Sequence, residues 1–196
     1  MPLRTAEIQR DTKETQLRVT LNLDGAGRFE GKIGVPFLEH MLDLMTRQAL
    51  FDLTLSGRGD LEIDAHHTVE DAGICLGLAF HKAVGDKTGI ERYGEAFVPM
   101  EEALGFVSLD VCSRPFFVFR GGLPKTKVGD FDVELIEEFL RAFVVNAALT
   151  AHFRIEAGGN LHHCAEALFK ALGRALRGAV ALNPRIQGVA STKGIL

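Results

Sequence analysis

Two segments of this chain, DAHHTVEDAGICLGLAFHKAV (Asp64 to Val84) and NLHHCAEALFKALGRALRGAV (Asn160 to Val180), repeat one another. At a fixed offset of 96 residues His66 meets His162, His67 meets His163, Glu70 meets Glu166, Leu76 meets Leu172, Gly77 meets Gly173 and Ala83 meets Ala179. One short indel earlier, at offset 98, EHML (Glu39 to Leu42) meets EEFL (Glu137 to Leu140). Such self-similarity marks an internal duplication. Two copies are too few for a solenoid, so the halves are expected to pack as a pseudo-twofold pair of sheet-and-helix layers. The seam falls near GDKTGIERYG, which gives a first repeat over residues 1–89 and a second over 90–196.

Hydrophobic period assigns the elements. TQLRVTLNL alternates Leu17, Val19, Leu21 and Leu23 with polar neighbours, which predicts a half-buried strand, and DGAG then gives a turn. PFLEHMLDLMTRQAL starts at Pro36, tolerated in a first helical turn, and sets Phe37, Met41, Leu44 and Met45 on one face. FDLTLS and LEI read as short strands around the turn GRGD, followed by a helix from Asp64 ended by Gly85. The second half runs in the same order: ALGFVSLDVC and RPFFVFRG as strands, DVELIEEFLRAFVVNAAL as a helix, AHFRIEA as a strand, then the second His-His helix. The expected fold class is therefore α+β, internally duplicated. At 196 residues and 46% hydrophobic content the chain can bury a full core.

A net charge of -4 gives no basic face for a polyanion, so nucleic acid is not an expected partner. Three cysteines without CxxC spacing argue for a reducing compartment, and the N-terminal stretch has no apolar signal core. No apolar run reaches the roughly 20 residues of a membrane span, so a cytoplasmic protein is expected.

The polar residues kept in both copies carry the chemistry. On a helix His66 and Glu70 share a face, while His67 is turned about 100° away. Each helix thus offers an imidazole and a carboxylate to one point and a second imidazole to another. His40 lies in EHML on the earlier helix, and its counterpart is Glu138. The expected arrangement is two metal ions, one held by His66, Glu70, His163 and Glu138, the other by His162, Glu166, His67 and His40. Four ligands leave about two open positions on an octahedral ion, as catalysis requires. Ligand type alone admits zinc, iron or manganese. The plainer alternative is that both His-His pairs only satisfy helix entries; the duplication of the polar residues while Thr68 becomes Cys164 and Ile74 becomes Lys170 weighs against it.

At these residues the sequence closely resembles the imidazoleglycerol-phosphate dehydratase family. TKET (Thr12 to Thr15), PFLEHMLDLM, DAHHTVEDAG, SRP (Ser113 to Pro115), NLHHCAEALFKALGRAL and STKG (Ser191 to Gly194) carry the resemblance over nearly the whole chain. It implies a duplicated fold of the ribosomal protein S5 domain 2-like kind, a dinuclear manganese site shared between subunits, and a homo-oligomer of 24 subunits. The implied reaction converts imidazole glycerol phosphate to imidazole acetol phosphate and water in histidine biosynthesis. Its carbon-bound proton is not next to a carbonyl. Metal ions on the imidazole nitrogens would stabilise an imidazolate, from which hydroxide leaves to form a diazafulvene.

By resemblance, Glu14 in TKET is the general acid/base; on bare sequence it is a solvated charge. Lys170, four residues beyond Glu166, shares the ligand face of its helix and is a candidate for phosphate, as are, by resemblance, Arg92, Arg114, Ser191 and Lys193. His81 and His152 are expected outside the site. GAGRFEGK fails the phosphate-loop motif, because Ile33 stands where Ser or Thr is needed. Two further readings stay open: a metallohydrolase acting on a small phosphorylated compound, and a non-catalytic assembly stapled by metals.

Overall fold

A computed structural model gives the fold and describes residues 4–196. The first half runs β1 (Thr5–Asp11), β2 (Thr15–Asn22), β3 (Arg28–Lys32), α1 (Pro36–Ala49), β4 (Asp52–Gly59) and α2 (His66–Val84). The second runs β5 (Tyr93–Met100), β6 (Ala103–Asp110), β7 (Phe116–Arg120), β8 (Lys127–Val128), β9 (Phe131–Asp132), α3 (Leu135–Asn146), β10 (Thr150–Ala157) and α4 (Leu161–Val180).

The two four-stranded sheets have the same topology, β1-β2-β4-β3 and β5-β6-β10-β7. In each, the last-named strand is the one parallel to its neighbour. Their registers also agree: Thr5 pairs with Asn22 and Asp11 with Gln16, as Tyr93 pairs with Asp110 and Pro99 with Leu104. Thr15 and Ala103 accordingly open equivalent strands, and Glu14 and Glu102 precede them. The β8-β9 hairpin is an insertion of the second half, lying between β7 and α3. That insertion is why the early strands match at a different offset from the helices.

Burial alternates along β2, with Leu17, Val19 and Leu21 inward. One face of each sheet thus meets helices, and the helices of the two halves meet one another, α1 on α4 and α2 on α3. One apolar core runs through both halves, from Leu17 and Val19 to Phe153 and Leu172. Glycine sets how closely the helices approach. A Cβ on Gly73 would lie 2.7 Å from Phe139 O, one on Gly77 2.6 Å from Phe143 O, and one on Gly173 2.2 Å from Met45 O. The facing backbone fills the space where a side chain would stand at each of these positions.

The helices and the strands of strong alternation stand where their patterns place them. Several elements differ from expectation, the β8-β9 hairpin among them. β1 pairs along β2 at a sheet edge although only Ala6 in it is buried, too weak a stripe to read. β3 and β5 were likewise not expected as strands; β3 has only Phe29 as a large apolar residue, and β5 pairs through backbone with Tyr93 and Phe97 exposed. LEI is not a strand. β4 continues through Gly57, Arg58 and Gly59, and Ile63 N–H donates to Asp60 O at 2.9 Å, closing a turn.

Cys75, Cys112 and Cys164 are free and buried. No helix among the described residues is long and apolar enough to cross a membrane.

Candidate functional site

Both His-His pairs sit at helix starts for a local reason. Asn160 Oδ1 accepts from His162 N (2.9 Å) and His163 N (3.4 Å), satisfying donors that a first turn leaves free. Asp64, its counterpart, accepts from His66 N at 2.7 Å. Side chains of the first turn then project past the helix end.

At α4 the result is a converging trio. His40 Nε2 from α1 and His162 Nε2 each lie 3.1 Å from the same oxygen, Glu166 Oε1. One ligand atom from each of the three lies within 4.8 Å of the others. Lys170 Nζ donates to the second oxygen, Glu166 Oε2, at 2.7 Å. Burial opposes the charge on Glu166, but hydrogen bonds from Lys170, His40 and His162 outweigh it and hold the carboxyl at about 2. Two imidazoles aimed at one ionised oxygen form the N,N,O donor set that borderline divalent metals take, and the residues present fit such an ion.

The second histidine of each pair faces elsewhere. His163 Nδ1 lies 2.8 Å from Glu102 Oε2, which lowers that carboxyl to about 2 and raises the imidazole above its ordinary value. Glu102 Oε1 also accepts from Asn160 N at 2.8 Å. His67 Nδ1 lies 3.0 Å from Asp60 Oδ2 and only 3.9 Å from Glu14 Oε2; the Asp60 contact chiefly raises its imidazole. In each ring the Nδ1 proton faces a carboxylate, so the neutral ring presents its Nε2 lone pair outward, the arrangement that orients metal-binding histidines.

His66, Glu70 and Glu138 are half-buried, and their side chains make no hydrogen bond or ion pair among the described residues. Glu138 stands on α3, which packs on α2 as α1 packs on α4, so these three correspond to His162, Glu166 and His40. The expected four-ligand sets are not assembled within one chain. His40, His162 and Glu166 come together, whereas His67 stays with Asp60 and Glu14, and His163 with Glu101 and Glu102. Asp60 and Glu102 were missed in the sequence: Asp60 read as part of a turn, and Glu102 gains meaning only from the β5-β6 register.

Away from the trio, a cavity of about 560 Å³ is lined by Arg92, Tyr93, Arg114, Ser191 and Lys193 among others. Four of the five expected phosphate residues thus meet at one place. Arg92 adopts a left-handed backbone (φ 72), rare for a non-glycine residue. Asp110 holds its guanidinium at 2.7 and 3.0 Å, and Arg92 Nη1 donates to Ala190 O at 2.7 Å, fixing the tail against the arginine. Arg114 is exposed, 3.8 Å from Asp110. Lys170 does not line this cavity; it belongs to the Glu166 trio. His81 and His152 are exposed and belong neither to the trio nor to the lining of this cavity.

Fold and site define an internally duplicated α+β enzyme built around histidine–carboxylate clusters. The family model described as imidazoleglycerol-phosphate dehydratase matches residues 33–176. The chain belongs to the imidazoleglycerol-phosphate dehydratase family, whose name denotes a hydro-lyase. It is 56% identical to the imidazoleglycerol-phosphate dehydratase of Moorella thermoacetica over 193 residues, 98% of each chain. Its identity to that of Acidithiobacillus ferrooxidans is also 56%, over 194 residues and 98% of each chain. The crystal structure of the Staphylococcus aureus imidazoleglycerol-phosphate dehydratase superposes with a TM-score of 0.83 at 40% identity, covering 91% of this chain and 99% of that one. The Pyrococcus furiosus structure gives 0.82 at 35% identity, covering 96% and 100%.

Proposed function

We propose that this chain dehydrates imidazole glycerol phosphate to imidazole acetol phosphate, in histidine biosynthesis. The observation that carries the reading is the His40–His162–Glu166 trio in a chain full-length similar to proteins named for that reaction. The proton leaves the carbon next to the ring-bearing one, the hydroxyl leaves the ring-bearing carbon, and the resulting enol settles as the ketone. Atoms balance as one water lost.

Two divalent ions, manganese by resemblance, would be held by His40, His162, Glu166 and His67, and by His66, Glu70, Glu138 and His163. When bound they supply Lewis acidity that stabilises negative charge on the substrate's imidazole ring. The separation of His67 and His163 from the first-histidine clusters supports sets completed by a neighbouring subunit, hence a homo-oligomer with shared sites, of 24 subunits by resemblance. Three free buried cysteines support a cytoplasmic location.

The chain's own residues do the rest. Glu14, at the tip of the β1-β2 turn and engaged only at 3.9 Å by His67, accepts the carbon-bound proton and returns it. Lys170 neutralises one oxygen of Glu166 and leaves the other to the imidazoles' point of convergence. Arg92, Arg114, Ser191 and Lys193 hold the phosphate in the cationic cavity. Arg92 N donates to Ala179 O, at the far end of α4 from His162, so the imidazole end of the substrate meets histidines brought by a neighbouring subunit.

Product identity tests this. Proton NMR of imidazole glycerol phosphate with manganese-loaded protein is expected to show imidazole acetol phosphate, and a chelator-stripped sample none. Inorganic phosphate as the product would replace the dehydratase by a hydrolase; no change at full metal loading would leave a structural centre.

A further inference from the structure

The two halves differ in one buried place beneath the functional turns. In the first half Thr15 is 2% exposed and Asp71 7% exposed, and the Thr15 hydroxyl donates to Asp71 Oδ2. Arg10 Nε lies 2.8 Å from Asp71 Oδ1. Thr12 completes the cluster: its Oγ1 accepts from Glu14 N (3.1 Å) and Thr15 N (2.9 Å) and lies 3.2 Å from Thr15 Oγ1. The tip that carries Glu14 is thereby fastened, through Thr15, to the residue that follows Glu70 on α2.

The second half has none of this. By register and helix alignment, Val98 stands for Arg10, Met100 for Thr12, Ala103 for Thr15, Cys164 for Thr68 and Ala167 for Asp71. Ala103, Cys164 and Ala167 form a small apolar cluster there, with Met100 packed on it. The same strand-turn-strand-helix unit is thus built with an apolar filling, so the fold does not require the polar one. Burying a carboxylate and a hydroxyl is unfavourable unless they are paired, and the apolar filling avoids that cost.

We infer that Asp71, acting through Thr15, is a positioning residue for Glu14, fixing its turn relative to the helix that presents His66, His67 and Glu70. The inference rests on the reading of Glu14 as the proton-moving group. Asp71 touches no substrate; it sets the distance and direction from which Glu14 meets it. A displacement of about 1 Å at such a group costs on the order of a hundredfold in rate.

The test gives the first half the filling of the second: Arg10→Val, Thr15→Ala and Asp71→Ala together, with Asp71→Asn as a milder variant of unchanged volume. Glu14→Gln is run beside them. The triple variant is expected to fold, to melt no lower than the parent, and to bind manganese as the parent does. Its kcat is expected to fall at least about tenfold while KM stays within about threefold. Asp71→Asn is expected to lower kcat less, again with KM unchanged, and it decides the matter if the triple variant fails to fold. A kcat within twofold of the parent in the folded triple variant, or in Asp71→Asn where the triple does not fold, overturns the positioning role if Glu14→Gln is inactive. Normal turnover by Glu14→Gln removes the acid/base reading itself and this inference with it.

Discussion

Glu14 and Glu102 hold the same place in the two halves, and only Glu102 is engaged closely by its histidine. Glu102 Oε2 lies 2.8 Å from His163 Nδ1, whereas Glu14 Oε2 lies 3.9 Å from His67 Nδ1. The difference comes from one residue: Asp60 follows β4 and takes His67 at 3.0 Å, while Gly158 follows β10 and offers no carboxylate. Duplication supplied two carboxylates of the same kind, and Asp60 releases one of them. The freed one is the group assigned to move the proton.

The tie on Glu102 is measurable. Glu102, lowered to about 2, favours the folded state above the ordinary carboxylate range, and that contribution fades as pH falls toward 2. His163 is raised, so its contribution holds below the ordinary imidazole value and fades as pH rises through the raised one. In metal-free protein the His163 ring is expected to titrate above 6.5 by NMR, and Glu102→Gln to bring it down. An unmoved midpoint would mean that the contact is not held in solution.

His162→Ala removes a nitrogen from the trio with His40 and Glu166. Loss of an outer partner alone weakens metal binding by about 10–100-fold, so loss of this ligand is expected to cost at least that, read as bound manganese after dialysis. Unchanged metal content in His162→Ala would refute the ligand role.

Lys193→Ala takes a cation from the cavity that also holds Arg92 and Arg114. A hydrogen bond to a charged group is worth about 1.5–3 kcal/mol, so KM for the phosphorylated substrate is expected to rise roughly ten- to a hundredfold with a smaller change in kcat. A KM equal to the parent's would exclude Lys193 from the phosphate.

Gly173→Ala tests the packing that holds α4 on α1. The added methyl would sit 2.2 Å from Met45 O, against backbone that cannot rotate aside. A stability loss of about 1–3 kcal/mol is expected in denaturant unfolding, and a neutral result would show that the helices can part.

Much of the fold was legible because helices and inner strands carry strong stripes. Leu17, Val19 and Leu21 mark β2, and Met41 and Met45 mark α1. Edge strands were not, since β1 and β3 are held by backbone pairing with few buried side chains, and pairing leaves no periodic trace. The site divides in the same way. The histidines, Glu70 and Glu166 stood out through repetition along the helices. Asp60, Asp71 and Glu102 act through register and through contacts across 56 or more residues, as Thr15 with Asp71 and Glu102 with His163, or at a strand end, as Asp60 with His67. Such distances are set by the fold rather than by spacing. Glu14 became a candidate by resemblance alone, and its contrast with Glu102 is a property of the folded chain.

The most direct measurement is the turnover of Glu14→Gln at full manganese loading, with metal content determined on the same sample. A fall in kcat of about 10²–10⁴-fold with unchanged metal is expected, the range a positioned acid/base supplies. Turnover equal to the parent's at equal metal would contradict the assignment of the proton transfer to the released carboxylate.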